Sequence, residues 1–208
     1  MDRSGNRILS RFVAVEGLDG AGTTTQVGLI ANRLRSRGVR HFRTREPTDG
    51  PIGRLVRSML ATRQPVSGRA FALLFAADRA EHCHGAGGVL ERHAAGEVVI
   101  SDRCIASSLA YQSLDVPADF IEAVNDSSPL PARIIFLTSP VEVCQERLRD
   151  RAGVPQRFDG AATQQRVLAA YGAALTRLQE RGVSVHRIDG SGSREEVFAR
   201  LWPVLGLD

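Results

Sequence analysis

The chain of 208 residues contains no lysine, so arginine supplies all 27 of its basic side chains. A positive charge that binds phosphate must therefore come from arginine, or be absent. The same bias is also typical of a GC-rich genome, in which case most of these arginines carry no functional message. Only arginines at specific motif positions then point to function.

Aromatic residues are also scarce, at 5% of the chain, and no long basic tail is present. The densest basic stretch, residues 147–157, is interrupted by Asp150, and the net charge is only +4. Proteins that bind single-stranded nucleic acid usually combine a basic groove with stacking aromatic side chains. We therefore expect small anionic ligands rather than a nucleic-acid partner.

Long hydrophobic runs are missing as well, since no apolar stretch approaches the roughly 20 residues that a transmembrane helix needs. Residues 1–10 are polar and lack the apolar core of a signal peptide. The three cysteines, Cys83, Cys104 and Cys144, are scattered and odd in number, which is typical of unpaired thiols in a reducing compartment. We predict one cytoplasmic domain with no membrane partner.

A glycine-rich segment lies near the N-terminus, where residues 15–26 read VEGLDGAGTTTQ. Gly17, Gly22 and Thr24 match the phosphate-loop pattern G-x-x-x-x-G-K-[ST], but Thr23 occupies the lysine position. In such a loop, backbone N–H groups and the following helix N-terminus hold phosphate, and the threonine hydroxyl can hold Mg²⁺. The alternative is a glycine-rich turn between a strand and a helix that binds no ligand.

Strand and helix patterns alternate along the chain. Strands are predicted at residues 12–16, 41–45, 97–101, 133–138 and 183–188. Helices are predicted at residues 24–37, 52–61, 68–95, 105–112, 118–126, 141–150, 161–181 and 194–205. Strands separated by helices favour a parallel sheet, in which ligands bind at the carboxyl ends of the strands. We therefore expect residues 17–25, 46–51 and 102–103 to lie together.

Five segments, in the correct order, resemble motifs of the thymidylate kinase family. They are residues 17–22 (GLDGAG), 44–53 (TREPTDGPIG), 74–79 (LFAADR), 102–112 (DRCIASSLAYQ) and 147–159 (RLRDRAGVPQRFD). The first is similar to the family's phosphate loop with an acidic third residue, and the second to T-R-E-P-G-G-T-P-I-G. The next two are similar to L-F-x-A-x-R and D-R-Y-x-x-S-x-x-A-Y-Q, and the last to an arginine-rich lid ending in D-R-x-E. Each motif alone is weak, but five in order are specific.

The resemblance implies an α/β fold of the P-loop nucleoside-monophosphate-kinase type. This would be a single domain over residues 1–208, with a five-stranded parallel sheet flanked by helices in three layers and a short lid at about residues 149–160. It also implies that ATP with Mg²⁺ phosphorylates dTMP to dTDP, and that two chains form a homodimer. Two alternatives stay open: a kinase for another pyrimidine deoxynucleotide, and a catalytically decayed nucleotide-binding homologue.

The family's site residues carry over to the positions where the motifs match. The implied ATP-binding residues are Gly17, Gly20, Ala21, Gly22, Thr23, Thr24, Thr25 and Arg149. The implied dTMP-binding residues are Asp19, Pro47, Phe75, Arg79, Arg103, Ser107, Ser108 and Tyr111. Thr24 and Asp102 are the implied Mg²⁺ ligands, directly or through water, and the implied catalytic residues are Asp19, Arg103, Arg151 and Arg157.

Several of these roles can be weighed against simpler ones. Asp19 would place a carboxylate among phosphates, and in the family the matching acid accepts a hydrogen bond from the acceptor's 3′-hydroxyl. Phe75 stacks the thymine in the family, although core packing is its default role. Arg79 lies on the same helical face as Phe75 and needs a partner, for which a base edge or a phosphate would serve. Arg103 would grip the acceptor phosphate with its planar fork, or form a salt bridge with Asp102 that closes a turn.

Base and sugar selection are implied by two residues of the fourth segment. In the family, the position of Ser108 hydrogen-bonds the base, and the position of Tyr111 lies against the sugar where a 2′-hydroxyl would clash. Because a hydroxyl can donate or accept, Ser108 discriminates bases less sharply than an amide would. Relatives also place the proline at position 47 over the acceptor phosphate, with a cis bond between Glu46 and Pro47.

The missing loop lysine needs a substitute if the site is active. Position 20 is glycine, where some relatives carry an arginine but lack lid arginines, so this chain has the opposite arrangement. We expect Arg151 and Arg157, which flank the lid tip, to act as arginine fingers and to supply this charge. The long predicted helix at residues 68–95 is rich in small and apolar residues, and relatives dimerise through such a helix.

Overall fold

The computed structural model describes residues 7–62, 65–150 and 157–207. Its sheet consists of β1 (Ile8–Gly17), β2 (His41–Arg45), β3 (Val98–Asp102), β4 (Leu130–Thr138) and β5 (Ser184–Asp189). Its helices are α1 (Thr23–Ser36), α2 (Pro51–Thr62), α3 (Gly68–His84), α4 (Val89–Ala94), α5 (Ile105–Tyr111), α6 (Ala118–Val124), α7 (Val141–Arg149), α8 (Ala161–Glu180) and α9 (Arg194–Leu201). Short 3₁₀ turns follow α5 and α9. Among these described residues, no helix is both long and apolar enough to cross a membrane.

The sheet is parallel throughout, with the strand order β2-β3-β1-β4-β5. The strand order reverses at β1, and ligands of such sheets bind in the crevice beyond the strands at this reversal. In the pairing of β1 with β3, Val15 lies opposite Asp102. The loop after β1 and the residues after β3 therefore leave the sheet side by side. The predicted α/β fold with a five-stranded parallel sheet is confirmed.

The central strands are covered on both faces by helices. All of β3 and the last six residues of β1 are buried, and Val13, Val15 and Ile100 have no exposed surface. Such continuous apolar runs are typical of central parallel strands. Burying each large aliphatic side chain contributes about 1.5–3 kcal/mol to stability. Both central strands therefore end in a rigid edge, from which the loops of the candidate site emerge.

One predicted helix is two helices in the structure. We predicted a single helix over residues 68–95, whereas α3 ends at His84 and α4 begins at Val89. Gly87 has a φ of 70°, and a Cβ on Gly88 would lie 2.5 Å from the carbonyl oxygen of His82. Only a glycine-rich turn fits this tight reversal. The mixed small and apolar composition hid the break, because both halves have helical periodicity.

Candidate active site

The loop between β1 and α1 turns sharply at two glycines. Gly20 and Gly22 have φ values of 89° and 97°, in the left-handed region that glycine adopts without strain. Gly22 is the N-cap of α1, and no side chain caps this end of the helix. Because the first N–H groups of an α-helix lack partners within the helix, this end is suited to binding phosphate. Residues 17–25 thus connect a strand to a helix, as the phosphate-loop pattern requires.

The loop packs closely against α7. A Cβ on Gly20 would lie 2.5 Å from the carbonyl oxygen of Cys144, so an arginine at position 20 does not fit this backbone. Arg147, on the next turn of α7, reaches the loop instead, with Nη1 3.4 Å from the carbonyl oxygen of Gly20. Its Nη2 is 3.3 Å from the carbonyl oxygen of Gly190, beyond β5. The sequence prediction missed Arg147, although the lid motif begins at this residue.

Thr24 and Asp102 are brought together, as the resemblance implied for a Mg²⁺ site. The Thr24 hydroxyl at the start of α1 donates a hydrogen bond to Oδ2 of Asp102 at the end of β3. The other carboxylate oxygen, Oδ1, is buried and has no hydrogen-bond partner among the described residues. A carboxylate and a hydroxyl are oxygen ligands of the kind that Mg²⁺ prefers. An unsatisfied buried oxygen beside a hydroxyl therefore fits this ion.

A cavity of about 200 Å³ lies next to this pair. Its walls contain all eight predicted dTMP-binding residues, namely Asp19, Pro47, Phe75, Arg79, Arg103, Ser107, Ser108 and Tyr111. The bond between Glu46 and Pro47 is cis, as the resemblance implied. Arg45, Arg57 and Phe158 also line the cavity and were not predicted, although Arg45 and Phe158 stand inside the quoted motifs. The four motif segments that contribute the eight predicted residues meet at this cavity.

Asp19 and Arg103 form an ion pair at the cavity. Nη2 of Arg103 is 2.7 Å from Oδ1 of Asp19, and the Tyr111 hydroxyl donates to Oδ2 over 3.2 Å. Arg103 has a φ of 72°, which costs a non-glycine residue about 1–3 kcal/mol and is often found at functional sites. The alternative in which Arg103 forms a turn-closing salt bridge with Asp102 is not seen. Arg103 pairs with Asp19, and Asp102 accepts a hydrogen bond from Thr24.

Arg79 has a protein partner that the sequence prediction missed. Its Nε and Nη2 lie 2.9 and 2.6 Å from Oε2 of Glu46, and Nη1 lies 2.6 Å from Oδ1 of Asn125. Nη2 also donates to the Ser108 hydroxyl over 2.9 Å. We expected a base edge or phosphate to satisfy this arginine, whereas the carboxylate of Glu46 neutralises it within the protein. The Ser108 hydroxyl that accepts this bond keeps its hydrogen for another acceptor.

Glu46 is buried and has a second hydrogen-bond partner, the imidazole of His82. Nδ1 of His82 lies 3.0 Å from Oε1 of Glu46, and Nε2 of His82 lies 2.7 Å from the Thr44 hydroxyl. Burial alone would raise the pKa of Glu46, but the Arg79 guanidinium and the hydrogen bond with His82 outweigh burial and lower it. Glu46 is therefore ionised at neutral pH. No periodic signal in the sequence links position 46 to positions 79 and 82.

Phe75 lines the cavity. It is only partly buried, whereas Phe71, one turn earlier on α3, has 1% of its surface exposed. The two rings pack edge to face with centroids 5.1 Å apart. Phe71 therefore belongs to the core and holds Phe75 against the cavity. Phe75 also packs against the core, and its role in stacking a base stays a prediction.

The lid arginines do not all lie where we expected. The guanidinium of Arg157 lies over the ring of Phe71, 5.0 Å from its centroid, with Nη2 3.3 Å from Oδ2 of Asp115. Its backbone N–H donates to the carbonyl of Leu60 in α2. The expectation that Arg157 supplies charge at the phosphate loop is thus corrected, because Asp115 and an aromatic face hold it on the acceptor side. Arg149 is exposed at the end of α7, and Arg151 lies outside the described residues.

Comparison with known proteins agrees with this geometry. The family model described as thymidylate kinase matches residues 15–201. A protein of Treponema pallidum is 36% identical over 196 residues, which cover 93% of this chain and 94% of the relative. A protein of Pyrobaculum aerophilum named "Probable thymidylate kinase" is 37% identical over 90% of this chain and 92% of its own length. A protein of Methanothermobacter thermautotrophicus with the same name is 38% identical over 86% of this chain and 91% of its own length. The chain belongs to the thymidylate kinase family.

Proposed function

We propose that this chain transfers the γ-phosphoryl group of ATP to the phosphate of dTMP and forms ADP and dTDP. In this reaction an oxygen of the dTMP phosphate forms a bond to the γ-phosphorus, while the bond from that phosphorus to the β,γ-bridging oxygen breaks. The observation that carries the proposal is the cavity of about 200 Å³ lined by Asp102, whose walls contain every residue expected to bind dTMP. Membership of the thymidylate kinase family supports the same reaction.

The acceptor is held by a charged end and an apolar end of this cavity. Arg103 binds the acceptor phosphate, since its planar fork can bond two phosphate oxygens. Asp19 accepts the sugar 3′-hydroxyl, and the Tyr111 ring stands where a 2′-hydroxyl would be. Phe75 stacks on the base, and the free hydrogen of Ser108 points to a base acceptor. Phosphoryl transfer depends mainly on such alignment and on charge neutralisation.

The donor is held at the phosphate loop. Backbone N–H groups of residues 17–25 and the N-terminus of α1 bind the ATP phosphates. Thr24 and Asp102 would hold Mg²⁺, which neutralises charge on the phosphates when bound. Thr23 is buried and brings no cation to the loop. Arg147 borders the donor side from α7, and Arg151 remains the candidate for the charge that lysine supplies in other loops.

A nucleotide panel tests this function. The assay couples ADP release to a spectroscopic signal with ATP, Mg²⁺ and, in turn, dTMP, dUMP, dCMP and the ribonucleotide of thymine. We expect dTMP to be turned over fastest, and the ribonucleotide and dCMP much more slowly. No turnover above background with any acceptor would overturn the proposal, and faster turnover with dUMP would reassign the base.

We also propose that the chain acts in the cytoplasm as a homodimer. Three large apolar side chains are exposed among the described residues, and two of them, Leu55 and Leu73, lie on the neighbouring helices α2 and α3. Pairing through helices α2 and α3 would remove both side chains from water. Sedimentation should give a mass about twice the 22.5 kDa of one chain. A mass of one chain at micromolar concentration would contradict the dimer.

A further inference from the structure

Tyr171 on α8 is completely buried, yet its hydroxyl lies among polar groups from three other segments. The oxygen is 3.0 Å from Oε2 of Glu16, 2.9 Å from the Ser107 hydroxyl and 3.1 Å from Nη1 of Arg103. It is also 3.2 Å from the carbonyl oxygen of Gly17. Helix α8 begins directly after the lid, so this hydroxyl joins the lid's helix to the phosphate loop and to Arg103.

The chemistry of these groups sets the direction of the bonds. Arginine can only donate, so Nη1 of Arg103 donates to the Tyr171 oxygen. Above its pKa of about 7, Glu16 is ionised and can only accept, so the Tyr171 hydroxyl hydrogen then points to Glu16. Glu16 thereby turns a lone pair of Tyr171 towards Arg103. The resulting chain of bonds runs from Glu16 through Tyr171 to Arg103.

Glu16 is itself held rigidly in the core. Its Oε1 accepts from the backbone N–H groups of Cys104 and Ser107, at 2.7 and 3.3 Å, and Oε2 accepts from the Ser107 hydroxyl at 2.6 Å. These bonds tie the last part of β1 to the first turn of α5. The carboxylate has no exposed surface, and neither it nor Tyr171 lines the acceptor cavity. Both residues therefore lie behind the substrate site rather than in it.

Protein acceptors hold the Nη1 side of the Arg103 guanidinium. Nη1 donates to Tyr171, to the Ser107 hydroxyl at 3.1 Å and to the carbonyl of Gly17 at 2.9 Å. Nη2 is on the other side, where it meets Asp19 at the cavity. With one nitrogen fixed by three protein acceptors, the guanidinium presents its remaining edge to the acceptor site. An arginine side chain that is not held in this way loses rotamer entropy when a ligand orders it.

A second contact joins α8 to the same site. Gln164 lies seven residues before Tyr171, two turns along the same helix face. Its Nε2 donates to the carbonyl oxygen of Asp19 over 3.0 Å, and its Oε1 accepts from Gln145 of α7 over 2.9 Å. One face of α8 therefore holds the backbone of Asp19 and the side chain of Arg103. The position of the lid's helix fixes both partners of the ion pair at the cavity.

We propose that Tyr171 and Glu16 are positioning residues that orient the Arg103 guanidinium for the acceptor phosphate and so couple helix α8 to acceptor binding. This inference rests on the proposed function, in which Arg103 binds the phosphate of dTMP. Neither residue lines the acceptor cavity, so both act through Arg103. Their loss should weaken recognition of the acceptor phosphate and leave the donor site unchanged.

The test removes the hydroxyl alone, with Tyr171→Phe. We expect kcat/KM for dTMP to fall about tenfold, the effect of losing a hydrogen bond to a charged group, mainly through KM, while KM for ATP changes less than twofold. The matched control is Phe136→Leu, because the Phe136 ring packs on Tyr171 with centroids 4.9 Å apart. This control lowers stability without removing a hydrogen bond, and it should leave KM for dTMP unchanged. An equal rise of KM for both substrates in Tyr171→Phe would overturn the proposal.

A double-mutant cycle shows whether the effect passes through Arg103. In an Arg103→Ala background, Tyr171→Phe should change kcat/KM for dTMP by less than twofold, because its target is absent. A full tenfold loss in that background would overturn the inference. Should Tyr171→Phe fail to fold, Glu16→Gln serves the same purpose, since its amide keeps an acceptor for the α5 N–H groups but donates towards Tyr171.

The test of the proposed function is independent of the test of the positioning role. Turnover of dTMP by the wild-type protein decides that function, whatever the variants do. Calorimetric binding of dTMP and of thymidine then tests positioning without turnover, because only dTMP carries the phosphate. We expect Tyr171→Phe to weaken dTMP binding and to leave thymidine binding unchanged. Equal weakening of both would show that Tyr171 merely supports the cavity.

Discussion

Arg79 and Glu46 form an almost completely buried ion pair, with 2.6 Å between Nη2 and Oε2 and side-chain exposures of 2% and 5%. Removing one member of such a pair leaves the other charge buried without compensation. Glu46→Gln should therefore lower the free energy of unfolding by about 3–5 kcal/mol, measured by urea denaturation. The control is Asp49→Asn, in which an aspartate 74% exposed loses its ion pairs with Arg45 and Arg57. This change should cost less than about 1 kcal/mol. Similar losses in both variants would contradict the energetic role of burial.

Arg103→Ala should separate the acceptor site from the donor site. The variant removes the charged fork beside Asp19, and each hydrogen bond to a charged group contributes about 1.5–3 kcal/mol. We expect KM for dTMP to rise at least tenfold and the calorimetric affinity for ATP to change little. Arg177→Ala is the control, because Arg177 forms its ion pairs on the surface with Asp119 and Glu122. An equal loss of affinity for both nucleotides would mean that Arg103 supports the fold instead.

Thr24 and Asp102 should govern the response to Mg²⁺. Thr24→Val keeps the side-chain shape but removes the hydroxyl, and Asp102→Asn removes the negative charge. Both variants should need several-fold more Mg²⁺ for tight ATP binding, measured by calorimetry across a Mg²⁺ titration. Thr24→Ser should restore the wild-type response, because it returns the hydroxyl. Thr176→Val, which removes an exposed hydroxyl on α8, is the negative control. A wild-type Mg²⁺ response in both site variants would exclude this pair as the ligands.

Glu16 should make stability fall as pH rises towards neutrality. Burial raises its pKa from 4.5 to about 7, although Arg103 and the hydrogen bonds of Ser107 and Tyr171 lower it in part. The folded state therefore binds a proton that the unfolded state releases. The resulting stability is fully present below pH 4.5, is lost as pH rises through 7, and amounts to about 3 kcal/mol.

Glu16→Gln should remove this pH dependence. Wild-type and variant proteins are unfolded with urea at intervals between pH 4.5 and 8, and their free energies of unfolding are subtracted. The free energy of unfolding of the variant, relative to that of the wild type, should increase as pH rises. Glu180→Gln, at the exposed end of α8, should give a flat difference. A flat difference for Glu16→Gln as well would contradict the titration.

Replacing the two lid arginines, Arg151 and Arg157, by alanine should affect kcat to different extents. Arg157 is held by Asp115 and Phe71, so Arg157→Ala should change kcat only slightly. Arg151→Ala should lower kcat about 10²-fold or more, within the range of arginine fingers, with the circular dichroism spectrum unchanged. Thr23→Lys should then partly rescue Arg151→Ala, because both charges would serve the same phosphate oxygens. Near-normal kcat for Arg151→Ala would remove the substitution hypothesis.

The parallel sheet and the residues of the acceptor cavity were largely readable from the sequence. The alternation of apolar strands and amphipathic helices predicts a parallel sheet, because the crossovers leave few other arrangements. The carboxyl ends of the strands then bring the loops after β1, β2 and β3 to one edge. The motif residues of these loops and of the adjoining helices α3 and α5 line one cavity for this reason. Such features depend on local periodicity and on short motifs, which one sequence displays directly.

Only the tertiary structure identified the partners of the charged residues. Glu46 neutralises Arg79 from 33 positions away, and Tyr171 reaches Glu16 across 155 positions. Periodicity reports which face of an element is buried, but it does not report which side chain lies opposite. Arg157 was misplaced for the same reason, because its motif position does not determine which carboxylate or ring attracts its guanidinium. The sequence thus determined the scaffold and the composition of the cavity, while packing between distant segments decided which charges face the ligand.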